Sequence, residues 1–226
     1  MTTFASETFS SDTSYARLRG LIIDAHLLPN TYHLESTLSE KLGLTPDAIH
    51  FAATRLESDG LVKTGTCGGF WIAPLPIAQV LAVFKQVSML EARAAGIAAA
   101  AGPGPIALSA LYDAVWTMED ALYRGDAMRW AGADHRFHRS LVQASNTAPL
   151  IASALPLSEP VHRARMVALT LCPPPFESAQ KNAELINAIR RGDPTEAHDL
   201  HLTHWKTTAM KTTQLLTDHG LDRIAA

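Results

Sequence analysis

An aspartate and a histidine four residues apart are the first pair in this sequence that could do chemistry. Asp134 and His138 lie in the stretch GADHRFHRSL. On a helix this spacing puts both side chains on one face, one turn apart, so both could bind one ion. A carboxylate oxygen with an imidazole nitrogen suits zinc, nickel, manganese or iron. We predict part of a divalent-metal site; the alternative is a buried, hydrogen-bonded polar cluster.

The helix that carries this pair belongs to a long helical region. From Ile77 onward, apolar residues recur at helical spacing without the alternation of strands. The pattern is broken at GPGP, RGDA, SNTAP, CPPP and RGDP. The resulting helices cover about 77–101, 105–124, 126–144, 147–171, 176–191 and 194–217. The sequence therefore predicts an all-α six-helix bundle, which we assign to residues 78–217.

Three short helices and a hairpin are predicted before the bundle. Helical spacing of apolar residues occurs in SYARLRGLIIDAHLL, LESTLSEKLGL and TPDAIHFAATRLESDG. Two β-prone runs, Leu61 to Lys63 and Phe70 to Ala73, flank a Gly-rich stretch and indicate a β-hairpin wing. The chain is therefore mainly α, with an N-terminal winged helix-turn-helix over residues 10–74. Pro74 and Pro76 mark the boundary between the two domains.

Composition limits the class of protein and its compartment. The 226 residues are 47% apolar and 18% charged, and no apolar run reaches the roughly 18–20 residues of a membrane span. The N-terminus, MTTFASETFSSDTSYARLRG, lacks the pattern of a secretory signal and is predicted to be a flexible tail. Cys67 and Cys172 form no CxxC motif, so neither a disulfide framework nor a zinc finger is indicated. We expect a cytoplasmic protein without a membrane partner.

The charge distribution excludes a general polyanion binder. The net charge is −3, and the chain up to residue 75 carries five basic residues against eight acidic ones. A predicted DNA-binding domain with so few cations can neutralise few phosphates.

Four motifs occur in a fixed order along the chain. They are RLESDGLV, GF shortly before IAPL, D-x3-H-x2-L, and AI-x2-GDP followed eleven residues after its aspartate by His204. Over about residues 14–215 this order resembles the GntR family of bacterial transcription regulators, FadR subfamily, with an FCD effector domain. The resemblance implies a homodimer that binds double-stranded operator DNA. It also implies a helical domain that binds a small metabolite, often a carboxylate, commonly beside a divalent metal.

The resemblance places DNA contacts in the first domain, but this chain departs from the family there. Where the family's recognition helix has an Arg-Thr-Pro-type start and an Arg-Glu pair, this chain has Pro46, Asp47, His50 and Phe51. The family's arginine before Gly-Phe in the wing is also missing. The implied DNA contacts are Arg17, Arg19, Thr45, His50, Arg55 and Lys63. We expect weak binding by one subunit, with a dimer reading two half-sites.

The resemblance also extends the metal site to later helices. In the metal-binding members two further histidines contribute; one position falls on His204 and the other on Asn182. An asparagine coordinates only through its amide oxygen, so Asn182 is a poor ligand or none. The implied set is Asp134, His138, His204 and, doubtfully, Asn182. A water, an effector carboxylate, His198 or His201 could complete it, whereas His135 points about 100° away from Asp134.

The effector contacts are less constrained. The family often has an arginine three residues before an LE pair, and this chain has Val87 there. An arginine fork donates two parallel hydrogen bonds to a carboxylate. The candidates for that role are Arg93, Arg163 and Arg165, with His162 facing the pocket. A sugar acid, a dicarboxylate, an amino-acid derivative and an acyl group all remain open.

These observations predict a ligand-responsive DNA-binding transcription regulator. A small acid bound in the bundle would favour one spacing of the two DNA-binding domains. One alternative is a ligand-sensing dimer with weakened or lost operator binding. Another is a metal-dependent hydrolase, but the winged helix is not needed for hydrolysis and no nucleophile motif occurs. We therefore do not expect an enzyme.

Overall fold

A computed structural model describes residues 11–223 and divides the chain into two compact units. The first unit runs to Pro76 and includes the segment from Gly220 onward; the second runs from Ile77 to His219. Residues 1–10 of the predicted N-terminal tail and the predicted domain start at residue 10 lie outside the described residues, whereas the part of the predicted tail from Ser11 onward is wrong because it forms a helix. Within residues 11–223, no helix is both long and apolar enough to cross a membrane.

The first unit contains three helices and a small antiparallel sheet. Its elements are α1 (Ser11–Ile23), β1 (Tyr32–Leu34), α2 (Glu35–Leu42), α3 (Pro46–Ser58), β2 (Val62–Thr64) and β3 (Gly69–Ile72). The predicted winged helix-turn-helix is confirmed, and β2 pairs with β3 as the wing. The sequence did not predict β1, which pairs with the other edge of β3. Three residues are too short for an alternation of apolar and polar side chains to be recognised.

Local signals fix the turn between α2 and α3. Gly43 ends α2 in the left-handed conformation, with φ of 63°, which glycine adopts without steric cost. The Thr45 hydroxyl accepts the backbone N–H of Ala48, and Pro46 occupies the first turn of α3. The two helices therefore form a helix-turn-helix with α3 as its second helix. Together with α1 and the sheet, the two helices bury a core that includes Leu18, Ile22, Leu38, Ile49, Leu56 and Phe70.

The second unit is the predicted all-α bundle. Its helices are α4 (Ile77–Ala101), α5 (Pro105–Arg124), α6 (Ala127–Ala144), α7 (Ala148–Leu169), α8 (Glu177–Arg191) and α9 (Pro194–Asp218). The prediction of six helices is confirmed. α4 packs against α6, α7, α8 and α9, so polar side chains on those helices can meet in the bundle interior. Around them, apolar residues such as Phe137, Leu141, Leu185 and Ile189 are buried.

Candidate functional site

Polar side chains from four helices meet inside the bundle, and we call this set the buried polar cluster. Its members are Glu91 of α4, Asp134 and His138 of α6, Arg165 of α7, and His201, His204 and Trp205 of α9. None is more than 9% exposed. Because unpaired polar groups are costly to bury, their partners must be internal or must come from a bound group.

Glu91 is the centre of the hydrogen bonds in this cluster. Its Oε2 accepts three N–H groups: Nδ1 of His138 at 2.8 Å, Nε2 of His201 at 2.9 Å and Nε1 of Trp205 at 2.8 Å. Neither Glu91 nor Trp205 is among the site residues predicted from the sequence. A signal was present for Glu91, because it falls in the buried helical stripe formed by Phe84, Val87 and Ala95.

The predicted pair on α6 also belongs to the cluster. Asp134 Oδ1 and His138 Nε2 lie 3.6 Å apart, and both atoms are buried without a hydrogen-bond partner. The other carboxylate oxygen of Asp134 accepts from the Arg165 guanidinium. That guanidinium lies 5.7 Å from the ring centre of Trp130 and 5.5 Å from that of Trp205. Arg165 is therefore held by a charge partner and two aromatic rings.

The pKa values show which members carry charge. Burial alone would raise the pKa of Glu91, but the charge of His138 and hydrogen bonds from His138 and His201 lower it to about 2. For Asp134, likewise, the nearby Arg165 and His138 outweigh burial and lower the pKa. Burial opposes protonation of His138, but Glu91 and Asp134 raise its pKa to about 9. Without metal, two carboxylates therefore balance one imidazolium and one guanidinium.

The two remaining histidines are neutral. Burial lowers the pKa of His201, although its hydrogen bond to Glu91 acts in the opposite direction. Burial, reinforced by the charge of His138, lowers the pKa of His204 well below its usual value. A neutral imidazole keeps one nitrogen lone pair for a metal or a hydrogen-bond donor.

The α6 pair fits a divalent metal ion. A separation of 3.6 Å lets Asp134 Oδ1 and His138 Nε2 bind one ion at the usual ~2.0–2.2 Å. The hydrogen bond from His138 Nδ1 to Glu91 leaves Nε2 as the nitrogen available to the ion. A carboxylate on the other ring nitrogen is the usual support of a metal-binding histidine. The rings of His204 and His138 are nearly parallel with centroids 6.3 Å apart, and among the described residues His204 does not join Asp134 and His138 in a group of ligand atoms within 4.8 Å of one another.

A second group of ligand atoms lies on the opposite side of His138. One ligand atom each from Glu91, His138 and His201 lies within 4.8 Å of the others. The Glu91 oxygen is already within hydrogen-bonding distance of both imidazoles. An ion there would have to displace those donors, whereas the α6 pair has no hydrogen bond to lose. The geometry is therefore more favourable to an ion at Asp134 Oδ1 and His138 Nε2.

Asn182 and Ser178 lie one turn apart on α8, beside the cluster. Ser178 Oγ is 3.4 Å from Nε2 of His204. Asn182 is 1% exposed, and its amide nitrogen donates to the Met118 sulfur at 3.7 Å. The i, i+4 spacing puts Asn182 on the helix face that reaches His204.

A cavity of about 270 Å³ is lined by α6 to α9 and the loop before α8. Arg165 and His204 contribute to its wall, together with the apolar Trp130, Leu169 and Leu215. Near these residues the wall also includes Lys181, Lys211 and Glu177, whose carboxylate is 3.7 Å and 3.8 Å from the two ammonium groups. A mostly apolar cavity with a few cations suits a small organic anion.

The four predicted effector residues occupy different environments. Arg165 alone among them lines the 270 Å³ cavity. His162 and Arg165 both line a much smaller cavity of about 10 Å³, and the ring centre of His162 lies 4.5 Å from that of His135. Arg163 is buried, and burial lowers its pKa to about 10. Arg93 is exposed on α4.

Several predicted DNA contacts have partners inside the first unit. Arg55 forms an ion pair with Asp12 at 2.6 Å and lies 4.1 Å over the ring of Tyr15. Arg17 donates to the backbone carbonyl of Leu42 at 2.7 Å. Arg19 interacts with the Tyr15 side chain. The contacts of Arg17 and Arg55 connect α1 to α2 and α3, so these two cations contribute to the packing of the domain.

The other predicted DNA contacts have less extensive packing roles. The Thr45 hydroxyl caps α3, as described above. His50 is exposed, with Nδ1 3.1 Å from a carboxylate oxygen of Glu35. Lys63 is exposed on β2 in the wing. His50 and Lys63 are therefore exposed without a packing contact of the kind that Arg17 and Arg55 make.

Comparisons with known proteins agree with this architecture. Residues 83–207 match the FCD domain family. An HTH-type transcriptional regulator in the TAR-I ttuE-ttuC' intergenic region of Agrobacterium vitis is 32% identical over 148 residues, or 63% of this chain and 86% of that protein.

Solved structures show the same fold at low sequence identity. E. coli McbR/YncC is 17% identical, with a TM-score of 0.74 over 90% of this chain and 97% of that one. A putative transcriptional regulator GntR from Rhodococcus sp. RHA1 is 19% identical, with a TM-score of 0.70 over 92% of this chain and 97% of that one. The similarity therefore extends through both units of the fold.

Proposed function

Because this chain belongs to the GntR family of transcription regulators and carries an FCD domain, we propose that a small organic acid bound in its helical bundle controls its binding to operator DNA. The protein is a regulator and not an enzyme. We assign residues 10–74 to DNA binding and residues 78–217 to effector binding, in a cytoplasmic homodimer. The observation that carries the proposal is the cavity of about 270 Å³ with Arg165 and His204 in its wall.

Arg165 is the proposed anchor for the acid. Its contact with Asp134 and its position beside two indole rings hold the guanidinium in place before a ligand arrives. A guanidinium in this setting can donate to an effector carboxylate, while Leu169 and Leu215 contact the apolar body of the acid. An aliphatic or aromatic monocarboxylate of modest size suits this lining.

We propose that Asp134, His138 and His204 hold a divalent metal beside the acid, with Asn182 as a weak fourth ligand. A bound zinc, nickel, manganese or iron ion would supply positive charge. With such an ion and a neutral His138, the charges of Glu91, Asp134 and Arg165 leave one excess positive charge. That excess favours an anionic effector, whereas the metal-free cluster is balanced with His138 protonated.

The acid acts on DNA binding only if it prefers one arrangement of the dimer. Two DNA-binding domains contact two half-sites, so their spacing sets the operator affinity. An effector with equal affinity for both spacings shifts nothing, however tightly it binds. The proposal therefore requires that the bound effector either strengthens or weakens DNA binding, and that DNA changes the effector affinity by the same factor.

Replacing Arg165 tests the effector site. With zinc present, we expect organic monocarboxylates to raise the melting temperature of the wild type. A ligand at 100 times its Kd stabilises by about 2.7 kcal/mol. Arg165→Met should abolish that rise because it removes the guanidinium, and Lys211→Met is the control for a cation at the cavity wall. Equal stabilisation of wild type and Arg165→Met by every acid would contradict the proposed anchor.

The alternative function is a ligand-sensing dimer with weakened or lost operator binding. It is supported by the internal partners of Arg17 and Arg55, which reduce the cations available to DNA phosphates. We expect the dimer to shift DNA from its own upstream region at low salt and much less at moderate salt, because phosphate contacts are salt-dependent. A gel-shift titration at both salts, with a scrambled duplex as control, separates the two functions. Binding to neither duplex at low salt would favour the ligand sensor that has lost its operator.

A further inference from the structure

The outer face of α3 carries an apolar side chain that core packing does not explain. Its inner face is the buried stripe of Ile49, Ala52, Ala53 and Leu56. The outer face is formed by Asp47, His50, Phe51 and Thr54, all exposed. Phe51 is 48% exposed, the largest apolar group on that face.

This face lacks the side chains that read guanine and adenine. In the major groove, Arg or Lys pairs with guanine, and Asn or Gln pairs with adenine. None of these four residue types occurs on the outer face of α3. His50 has one ring nitrogen next to Glu35. Asp47 can only accept hydrogen bonds while it is ionised.

Two groups on this face are suited to a methyl contact instead. The phenyl ring of Phe51 has no hydrogen-bonding group, and an apolar side chain in the major groove contacts the 5-methyl group of thymine. The Thr54 hydroxyl donates to the backbone carbonyl of His50 at 3.0 Å. The Thr54 methyl remains as its apolar group, three residues from Phe51 on the same face.

We infer that Phe51 reads the 5-methyl group of a thymine in each operator half-site, with Thr54 beside it. This inference rests on the proposed DNA binding and identifies the residue that determines sequence preference. In a helix-turn-helix, the second helix enters the major groove and its N-terminal residues contact base edges. Phe51 is the sixth residue of α3, which starts at Pro46, so it lies within the part that reaches the bases.

The partner is DNA rather than another protein, on the evidence of position. The aromatic ring lies on the second helix of a helix-turn-helix, and the other residues named on the outer face of that helix, Asp47, His50 and Thr54, are polar. A protein interface core would require neighbouring apolar groups. One apolar side chain with polar neighbours is enough to contact one thymine methyl group, whereas it is too little for the core of a protein interface. Contact of Phe51 with another protein is the competing outcome of the test.

The experiment compares thymine with uracil, which differ only in that methyl group. Binding sites are first selected from random duplexes with the full-length dimer, and thymine should be enriched at one symmetric position per half-site. Fluorescence anisotropy then measures binding to the selected duplex with thymine or deoxyuridine at that position. For the wild type we expect about a fourfold loss per half-site, the value of burying one methylene-sized group.

Variants assign the methyl preference to Phe51. Phe51→Ala should bind the thymine and uracil duplexes equally, and Phe51→Leu should keep part of the preference. Asp47→Ala is the matched control on the same face, because it removes the carboxylate without adding a group that hydrogen-bonds to a base. It should strengthen binding to every duplex by removing a negative charge, with the thymine-to-uracil ratio unchanged. Circular dichroism checks that each variant is folded, which is expected because residues 47 and 51 are exposed.

The outcomes separate this inference from the proposed function. Operator binding by the wild type with equal affinity for thymine and uracil overturns the role of Phe51 and leaves the regulator intact. A preference for thymine that persists in Phe51→Ala also overturns it. Absence of DNA binding by the wild type at low salt overturns both. Failure of Phe51→Ala to dimerise would instead assign the ring to a protein contact.

Discussion

Glu91→Ala should lower the free energy of unfolding by about 3–5 kcal/mol, the range for removing one partner of a buried charge pair. The variant would leave the N–H groups of His138 and His201 without their acceptor, and would leave the indole N–H of Trp205 with only the His201 ring nitrogen, 3.0 Å away. It would also leave the imidazolium of His138 with one carboxylate instead of two. Urea unfolding in the presence of a chelator measures the change without a contribution from metal.

Two further variants separate charge from packing in this prediction. Glu91→Gln keeps the volume and one acceptor oxygen but removes the negative charge, so its loss should be smaller than that of Glu91→Ala. Glu119→Ala removes an exposed glutamate from α5 and should change stability by no more than about 0.5 kcal/mol. If Glu91→Ala is as stable as Glu119→Ala, Glu91 is not the centre of the cluster.

The lowered pKa of Glu91 gives an energy of the same size. A carboxyl group whose pKa falls from 4.5 to about 2 on folding contributes roughly 3 kcal/mol at neutral pH. Because the folded-state value is the lower one, this contribution is complete above pH 4.5 and is lost as the pH falls through 2. Acid unfolding of the chelated wild type should therefore show a loss that Glu91→Gln lacks.

Sequence spacing could predict the α6 pair but not its partners. Asp134 and His138 are one helical turn apart, so a single element fixes their geometry. The hydrogen bonds of Glu91 join residues 47, 110 and 114 positions apart, and such contacts depend on how α4, α6 and α9 pack. The buried stripe of α4 could have indicated Glu91, because a carboxylate in that stripe requires a partner.

In the first unit, too, the partners of charged side chains could not be predicted from sequence spacing. Helical spacing and the turn signals at Gly43, Thr45 and Pro46 located the helix-turn-helix. The sequence could not show that Arg55 pairs with Asp12 across 43 positions, or that Arg17 reaches a carbonyl of α2. A cation near a recognition helix is a candidate phosphate contact until the tertiary structure gives it an internal partner. The strand β1 was missed for a different reason, its length of three residues.

The buried polar cluster can be a metal site or a charge-balanced polar core. Which of the two it is depends on whether Nε2 of His138 carries a proton. His138 can ligate an ion through Nε2 only after that nitrogen loses its hydrogen, so metal binding competes with the imidazolium. In the metal-free protein, Glu91 and Asp134 favour the imidazolium. Arg165 also opposes a second cation near Asp134. Metal affinity is therefore expected to be modest unless the ligand set is strengthened, and Asn182 is the position where that can be done.

Asn182→His should tighten zinc binding by about 100-fold or more, because even an outer-shell partner is worth about 10–100-fold in metal affinity. Asn182 is buried one helical turn from Ser178, which contacts His204. An imidazole at this position would add a nitrogen ligand to Asp134, His138 and His204. Competition with a chromophoric chelator at neutral pH measures the affinity directly.

Matched variants decide whether the gain comes from coordination. Asn182→Gln lengthens the side chain but keeps an amide, so it should not tighten zinc binding. In a His138→Ala background, Asn182→His should recover only part of the gain, because the new imidazole would lack its strongest co-ligand. If folded Asn182→His binds zinc no better than the wild type, the ion does not lie between α6, α8 and α9. The group of Glu91, His138 and His201 would then be the remaining place for an ion in the cluster, and Arg165 would provide the positive charge that attracts the acid.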